Sequence, residues 1–79
     1  MNVKRVATAL RDVANDRLDE YNDIYEHGEK THLIYMCSKI MLGEVEGEKA
    51  HRWIGWIQGC LYMSGVTSLD EMKSMNKGA

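Results

Sequence analysis

The stretch Lys49–Asn76, KAHRWIGWIQGCLYMSGVTSLDEMKSMN, decides the fold of this chain. It holds both tryptophans, Trp53 and Trp56, and two glycines one helical turn apart, Gly55 and Gly59. Its apolar residues recur around most of a helix, and a helix of that kind has to be buried from most sides. A chain of 79 residues has few elements that could cover it. The stretch therefore predicts a helical protein that associates with further copies of itself.

The end of this stretch predicts a short helix of its own. Ser68 and Glu71 have the spacing of a capping box, in which a hydroxyl and a carboxylate bond the first free backbone N–H groups. We expect the helix to reach about Asn76, with Leu69 and Met72 facing inward.

Two more helices are predicted on either side of a short polar link. One runs from about Lys30 to Leu42, where Gly43 ends it, because glycine is the usual residue just past a helix. The next begins near Glu48 and ends at Gly65. A link this short favours antiparallel neighbours.

The first part of the chain predicts one long amphipathic helix. Asn2 can cap its start, and the apolar stripe continues to Tyr25, which gives about 24 residues and about 36 Å. His27 and Gly28 form a stop signal. A helix this long in a short chain is typical of an oligomer, so we expect the first and third helices to pack against a second copy. The stripe consists of Val3, Val6, Leu10, Val13, Ala14, Leu18, Tyr21 and Tyr25.

Composition supports a single all-α domain over residues 1–79. We expect a small hairpin or bundle of three main helices plus a short C-terminal helix, completed by oligomerisation, because a core of this size rarely supplies more than about 3–5 kcal/mol. Cys37 and Cys60 lie on apolar faces and indicate buried, reduced thiols. The sequence shows no secretory signal and no apolar run of the ~20 residues that a membrane span needs. We therefore expect a soluble, intracellular protein.

The glycine pair marks the candidate binding site on the third helix. Glycine is unfavourable inside a helix, so two in one turn indicate close packing of another backbone, or a planar or phosphate-bearing ligand. A nearby arginine could clamp a phosphate beside a tryptophan, or simply form a salt bridge with Glu48. One tryptophan is expected in the core and the other as an interface anchor. The candidate binding residues are Arg52, Trp53, Gly55, Trp56, Gln58 and Gly59.

Charge and motif content argue against several other classes. The net charge of −2 does not suit a protein that holds long nucleic acid by its phosphates. The last two helices have a helix–turn–helix order, but Asp70 and Glu71 would face the DNA phosphates, which leaves a DNA-binding regulator as a minor alternative. His27, His32 and His51 sit on different elements, so we expect no metal site. No catalytic arrangement or cofactor motif appears, and we expect no enzyme and no cofactor.

Residues 51–72, HRWIGWIQGCLYMSGVTSLDEM, resemble the C-terminal part of small uncharacterised proteins encoded by tailed bacteriophages. The resemblance implies a viral accessory protein in the cytoplasm of a bacterial host. It also implies a non-enzymatic role in which the protein binds and inhibits a host or antiviral-defence protein. The alternative from the residues themselves is an oligomeric sponge that sequesters a nucleotide second messenger between subunits, gripped by Arg52, Gln58 and a tryptophan.

Overall fold

The computed structural model describes residues 1–18 and 30–77, and these residues form four helices and no strand. This confirms the prediction of a small all-α bundle with three main helices and a short C-terminal one. In the described ranges, no helix combines the length and apolar character needed to cross a membrane. The helices are α1 (Val3–Arg17), α2 (Lys30–Met41), α3 (Gly47–Met63) and α4 (Leu69–Lys77).

The core forms where one face of α1 packs against α2 and α3. Asn2 caps α1 as expected, since its side-chain oxygen accepts a hydrogen bond from the backbone N–H of Arg5 at 3.2 Å. Ala7 and Ala14 are fully buried, and their small side chains let the neighbouring helices approach closely. The other buried residues of α1 are Val6, Leu10 and Val13.

The prediction of a 24-residue first helix is wrong, because α1 ends at Arg17. Leu18 leaves the helix with extended backbone angles and is buried in the core. The Arg17 side chain reaches across to the start of α4, where it donates hydrogen bonds to Glu71 and to the carbonyl of Val66. These contacts join the last residue of α1 to the start of α4. The predicted stop at His27 and Gly28 lies outside the described residues.

The glycine stops after α2 and α3 are confirmed. Gly43 and Gly65 both have positive φ angles, 77° and 76°, which glycine adopts without strain. After α2, the N–H of Glu44 bonds the carbonyl of Lys39, as in a Schellman motif. The short link that follows is anchored by Val45, which is buried against the core.

Within the single chain α3 is buried on one side. The sequence predicts that further copies of the chain cover its other sides, and this stays a prediction. Its inner stripe contacts α1 and α2, which lie on the same side of it. The apolar residues elsewhere around α3 remain wholly or partly exposed. The buried residues of α3 are Ala50, Ile54, Ile57, Cys60 and Leu61.

α4 begins with half of the predicted capping box. The Ser68 hydroxyl accepts a hydrogen bond from the N–H of Glu71 at 3.1 Å. The Glu71 carboxylate turns to Arg17 instead of back to Ser68, and this hydrogen bond holds its pKa below the usual value. Met72 faces inward as expected. Leu69 does not: it is the first residue of the helix and is exposed, so its predicted inward position is wrong.

The dimensions of the chain are those of a compact single unit. Its radius of gyration is 11.2 Å, and about 11.6 Å is expected for a compact chain of this length. Its accessible surface is 4913 Å², close to the ~4,900 Å² of a monomer of this mass. The members of the apolar stripe within residues 3–18 are buried or half-buried in the chain's own core, while Tyr21 and Tyr25 lie outside the described residues. Oligomerisation stays a prediction, and closure of the core does not depend on it.

Two leucine substitutions test this placement of the core. Leu33 is fully buried, whereas Leu42, just past the end of α2, is 72% exposed. We expect Leu33→Ala to lower the free energy of unfolding by about 2–5 kcal/mol, because it leaves a cavity. Leu42→Ala should change it by less than about 0.5 kcal/mol. Urea denaturation measures both, and equal losses would contradict the fold.

Candidate protein-binding surface

The surface opposite the core stripe of α3, here called the outer α3 face, is exposed along its length. At 3.6 residues per turn its members lie on one side of the helix. The face includes four of the six expected binding residues, and it adds a tyrosine and a methionine side chain. Its residues are Arg52, Gly55, Trp56, Gly59, Tyr62 and Met63.

Gly55 and Gly59 form a strip of bare backbone at the bottom of this face, here called the glycine floor. A Cβ atom built on either glycine would have no other heavy atom within 4 Å. Within residues 1–18 and 30–77, nothing outside the helix's own backbone therefore packs against this strip of bare backbone. The described residues do not supply the close packing that the sequence predicts at these glycines.

Three large side chains stand around the glycine floor. Trp56 is 42% exposed, Tyr62 is 45% exposed and Met63 is 59% exposed. Tryptophan, tyrosine and methionine are enriched where proteins bind one another, and methionine also adapts its shape to different partners. A single exposed apolar residue needs no explanation, but a group on one helix face is typical of an interaction site.

Arg52 provides the positive charge of the outer α3 face. Among the described residues it forms no ion pair and no hydrogen bond, so the salt bridge with Glu48 considered from the sequence is not formed. Its guanidinium is exposed and can donate to a carboxylate or lie over an aromatic ring.

Two expected site residues lie elsewhere. Trp53 is half-buried and packs against the core, with the ammonium of Lys49 over its ring at 5.4 Å. The side-chain amide of Gln58 donates a hydrogen bond to Asn76 at 2.8 Å and ties α3 to α4. Position 58 is about 120° around the helix from Arg52. Arg52 and Gln58 of one chain therefore do not face the same ligand. The nucleotide-binding alternative places its ligand between subunits, and it stays a prediction.

The thiols of Cys37 and Cys60 are weak nucleophiles. Burial raises the pKa of Cys37 to about 12, an effect that the charge of Arg11 partly offsets. Burial also raises the pKa of Cys60. Both thiols stay protonated at neutral pH, and the thiol is a far weaker nucleophile than the thiolate. Among the described residues, no three His, Cys, Asp or Glu side chains are grouped so that they could hold a metal ion.

The start of α4 bears on the DNA-binding alternative. Glu71 is neutralised by Arg17, whereas Asp70 is exposed. The charge of one of the two carboxylates that would repel DNA is thus balanced by an ion pair within the chain. The remaining charge of Asp70 still opposes phosphate at the first turn of the helix.

A second surface feature lies between α1 and α2. A cavity of about 350 Å³ is lined by Arg11, Ser38, Met41 and Leu42. The Ser38 hydroxyl donates to the carbonyl of Ile34, so it offers a cavity ligand only its acceptor capacity. The remaining lining residues are the charged Arg11 and the apolar Met41 and Leu42.

These features define a small all-α protein whose described residues form four helices, the third of which presents an apolar face to solvent. No known protein family matches the sequence, and no curated protein or solved structure matches it significantly. The surface itself is therefore the basis for the function proposed below.

Sequence reasoning missed Tyr62 and the exposure of Met63. The signal for Tyr62 was present, because positions 52, 55, 59 and 62 follow helical spacing of three, four and three residues. Which side of α3 faces outward depends on where α1 and α2 pack, and that information is not local to α3.

Alanine substitution tests whether the glycine floor is open in the chain on its own. Gly59→Ala should raise the free energy of unfolding by about 0.5–1 kcal/mol, because alanine favours the helix and its methyl meets no atom. Gly65→Ala is the matched control and should lower it by about 1–2 kcal/mol, since φ is positive there. Urea denaturation of dilute protein measures both. A destabilising Gly59→Ala would mean that the chain already covers the floor.

Proposed function

We propose that this protein is a non-enzymatic binding protein that acts stoichiometrically through the outer α3 face. The observation that carries the proposal is the group of Trp56, Tyr62 and Met63 exposed beside an open glycine floor. The chain is compact without covering this face, so the exposed apolar area is not needed to close the core. An apolar face of this kind gains free energy when another protein covers it.

The bound protein is a host or antiviral-defence protein in the setting that the resemblance to phage proteins implies. The protein would then work in the bacterial cytoplasm by occupying a surface that its target needs. The protonated, buried thiols support a role without covalent chemistry. Trp56 and Tyr62 are the expected anchors, because a few aromatic side chains carry most of the binding energy in interfaces.

Affinity capture with matched variants tests the proposal. Tagged wild-type protein, Trp56→Ala and Leu42→Ala are incubated with bacterial lysates, and bound proteins are compared by mass spectrometry. Leu42 is the control because it is an exposed apolar residue on a different surface. We expect a partner that binds wild type and Leu42→Ala alike. Trp56→Ala should weaken its affinity by about thirtyfold or more, as truncation of an interface anchor does.

The proposal fails if no protein is captured, or if Trp56→Ala retains the partner as well as wild type does. Circular dichroism of each variant confirms that the helices remain intact. A parallel thermal-shift measurement with cyclic dinucleotides tests the nucleotide alternative, because a ligand that binds the folded form raises the melting temperature.

A further inference from the structure

The residues at the centre of the outer α3 face are spaced symmetrically, so the order of their separations is the same in both directions along the helix. Arg52, Gly55, Gly59 and Tyr62 are separated by three, four and three residues. All four are exposed, and they follow one line along the helix. A face with this symmetry has its midpoint at the level of Ile57.

This symmetry has a geometric consequence for two copies of the chain. In a two-fold interface, residue i of one copy contacts residue j of the other, and j contacts i. If two α3 helices lie antiparallel with the axis at the level of Ile57, Gly55 of each copy lies opposite Gly59 of the other. Arg52 of each copy then lies opposite Tyr62 of the other. One surface patch thus supplies both halves of each contact.

Charge selects the antiparallel orientation. A parallel pair in register would place Arg52 against Arg52 of the second copy. In the antiparallel pair these two cations are about 15 Å apart along the axis, and each lies over a tyrosine ring, which attracts a guanidinium. Within the described residues Arg52 has no competing ion pair or hydrogen bond.

The glycine floor permits the close approach that this pairing needs. Gly55 and Gly59 carry no Cβ, and among the described residues no atom outside the helix's own backbone lies within 4 Å of a Cβ built at either position. Two such floors in contact let the helix backbones approach closely. Met63 and Trp56 stand on one flank of the floor, with Trp56 close to the level of the axis. They would cover apolar area on both copies at once.

We propose that two copies of this chain form a homodimer through the outer α3 face, with antiparallel α3 helices crossing at Gly55 and Gly59. The inference rests on the proposed function, because it names a second copy as one protein that the face binds. The second copy and a target protein then compete for the same face. Dissociation of the dimer releases the binding surface.

Cysteine cross-linking tests the orientation directly. One chain carries Gly55→Cys and the other Gly59→Cys, and both side chains fit because the space above the glycines is open. Only cysteines with Cα atoms closer than about 7 Å form a disulfide readily. We expect the mixture to form the mixed disulfide about tenfold faster than either variant forms its own, because residues 55 and 59 lie opposite each other.

Two controls set the background rate. Wild-type protein reports on Cys37 and Cys60, which are buried. A mixture of Tyr35→Cys and Leu42→Cys reports on random collision, since both positions are exposed on another surface. Faster self-linking of either glycine variant would mean parallel pairing and would overturn the proposal. The proposal would also be overturned if the mixed disulfide formed no faster than the disulfide between the Tyr35→Cys and Leu42→Cys chains.

Sedimentation velocity supplies the second measurement. Wild-type protein at micromolar concentration should show twice the 9.1 kDa of the single chain. Gly59→Leu should shift it to the single-chain mass, because the leucine side chain holds the helices apart, whereas Leu42→Ala should leave the dimer unchanged. A wild-type protein that stays at 9.1 kDa at every concentration would contradict the inference.

The two proposals can fail separately. If the chain is monomeric but Trp56→Ala still loses a captured target, the dimer is wrong and the binding function stands. If the dimer forms as described but target capture survives every outer α3 face substitution, the binding function is wrong and the pairing stands.

Discussion

The close packing of α1 against α2 and α3 is the constraint on which the rest of the structure depends. Ala7 and Ala14 are fully buried and let neighbouring helices approach, while Leu10 fills the space between them. Apolar burial is the main favourable term in folding, and a chain of this length has few large apolar residues with which to achieve it. Because α1 and α2 both lie on the inner side of α3, this packing determines which side of α3 remains in contact with solvent.

The exposed side of α3 contains glycine, aromatic and methionine residues that are not part of the core. Glycines inside a helix lower its stability, and Trp56, Tyr62 and Met63 are 42%, 45% and 59% exposed. The Arg17–Glu71 contact, in contrast, links the end of α1 to the start of α4 and stabilises the chain around the core. The contrast between a closed inner side and an open outer side is the physical basis for both the proposed binding function and the proposed dimer.

The local features of the fold could be predicted from the sequence, and the long-range ones could not. Gly43, Gly65 and Ser68 act through their own backbone conformation or a neighbouring N–H group, so their roles are local. The Arg17 side chain at the end of α1 contacts Val66 and Glu71, which lie 49 and 54 residues away, and no periodicity reveals contacts over such a separation. The same limit applied to the tryptophans, since both fit an apolar pattern and only the position of the core distinguishes Trp53 from Trp56.

Oxidation of Met63 by hydrogen peroxide tests most directly whether the outer α3 face is open in the single chain and covered in a complex. Exposed methionine forms the sulfoxide faster than buried methionine. In dilute protein, mass spectrometry should show Met63 oxidised much faster than the buried Met36, and the rate should fall as the protein concentration rises or a captured partner is added. If Met63 reacts as slowly as Met36 even at the lowest concentration, or at one rate under all conditions, this description of the face is contradicted.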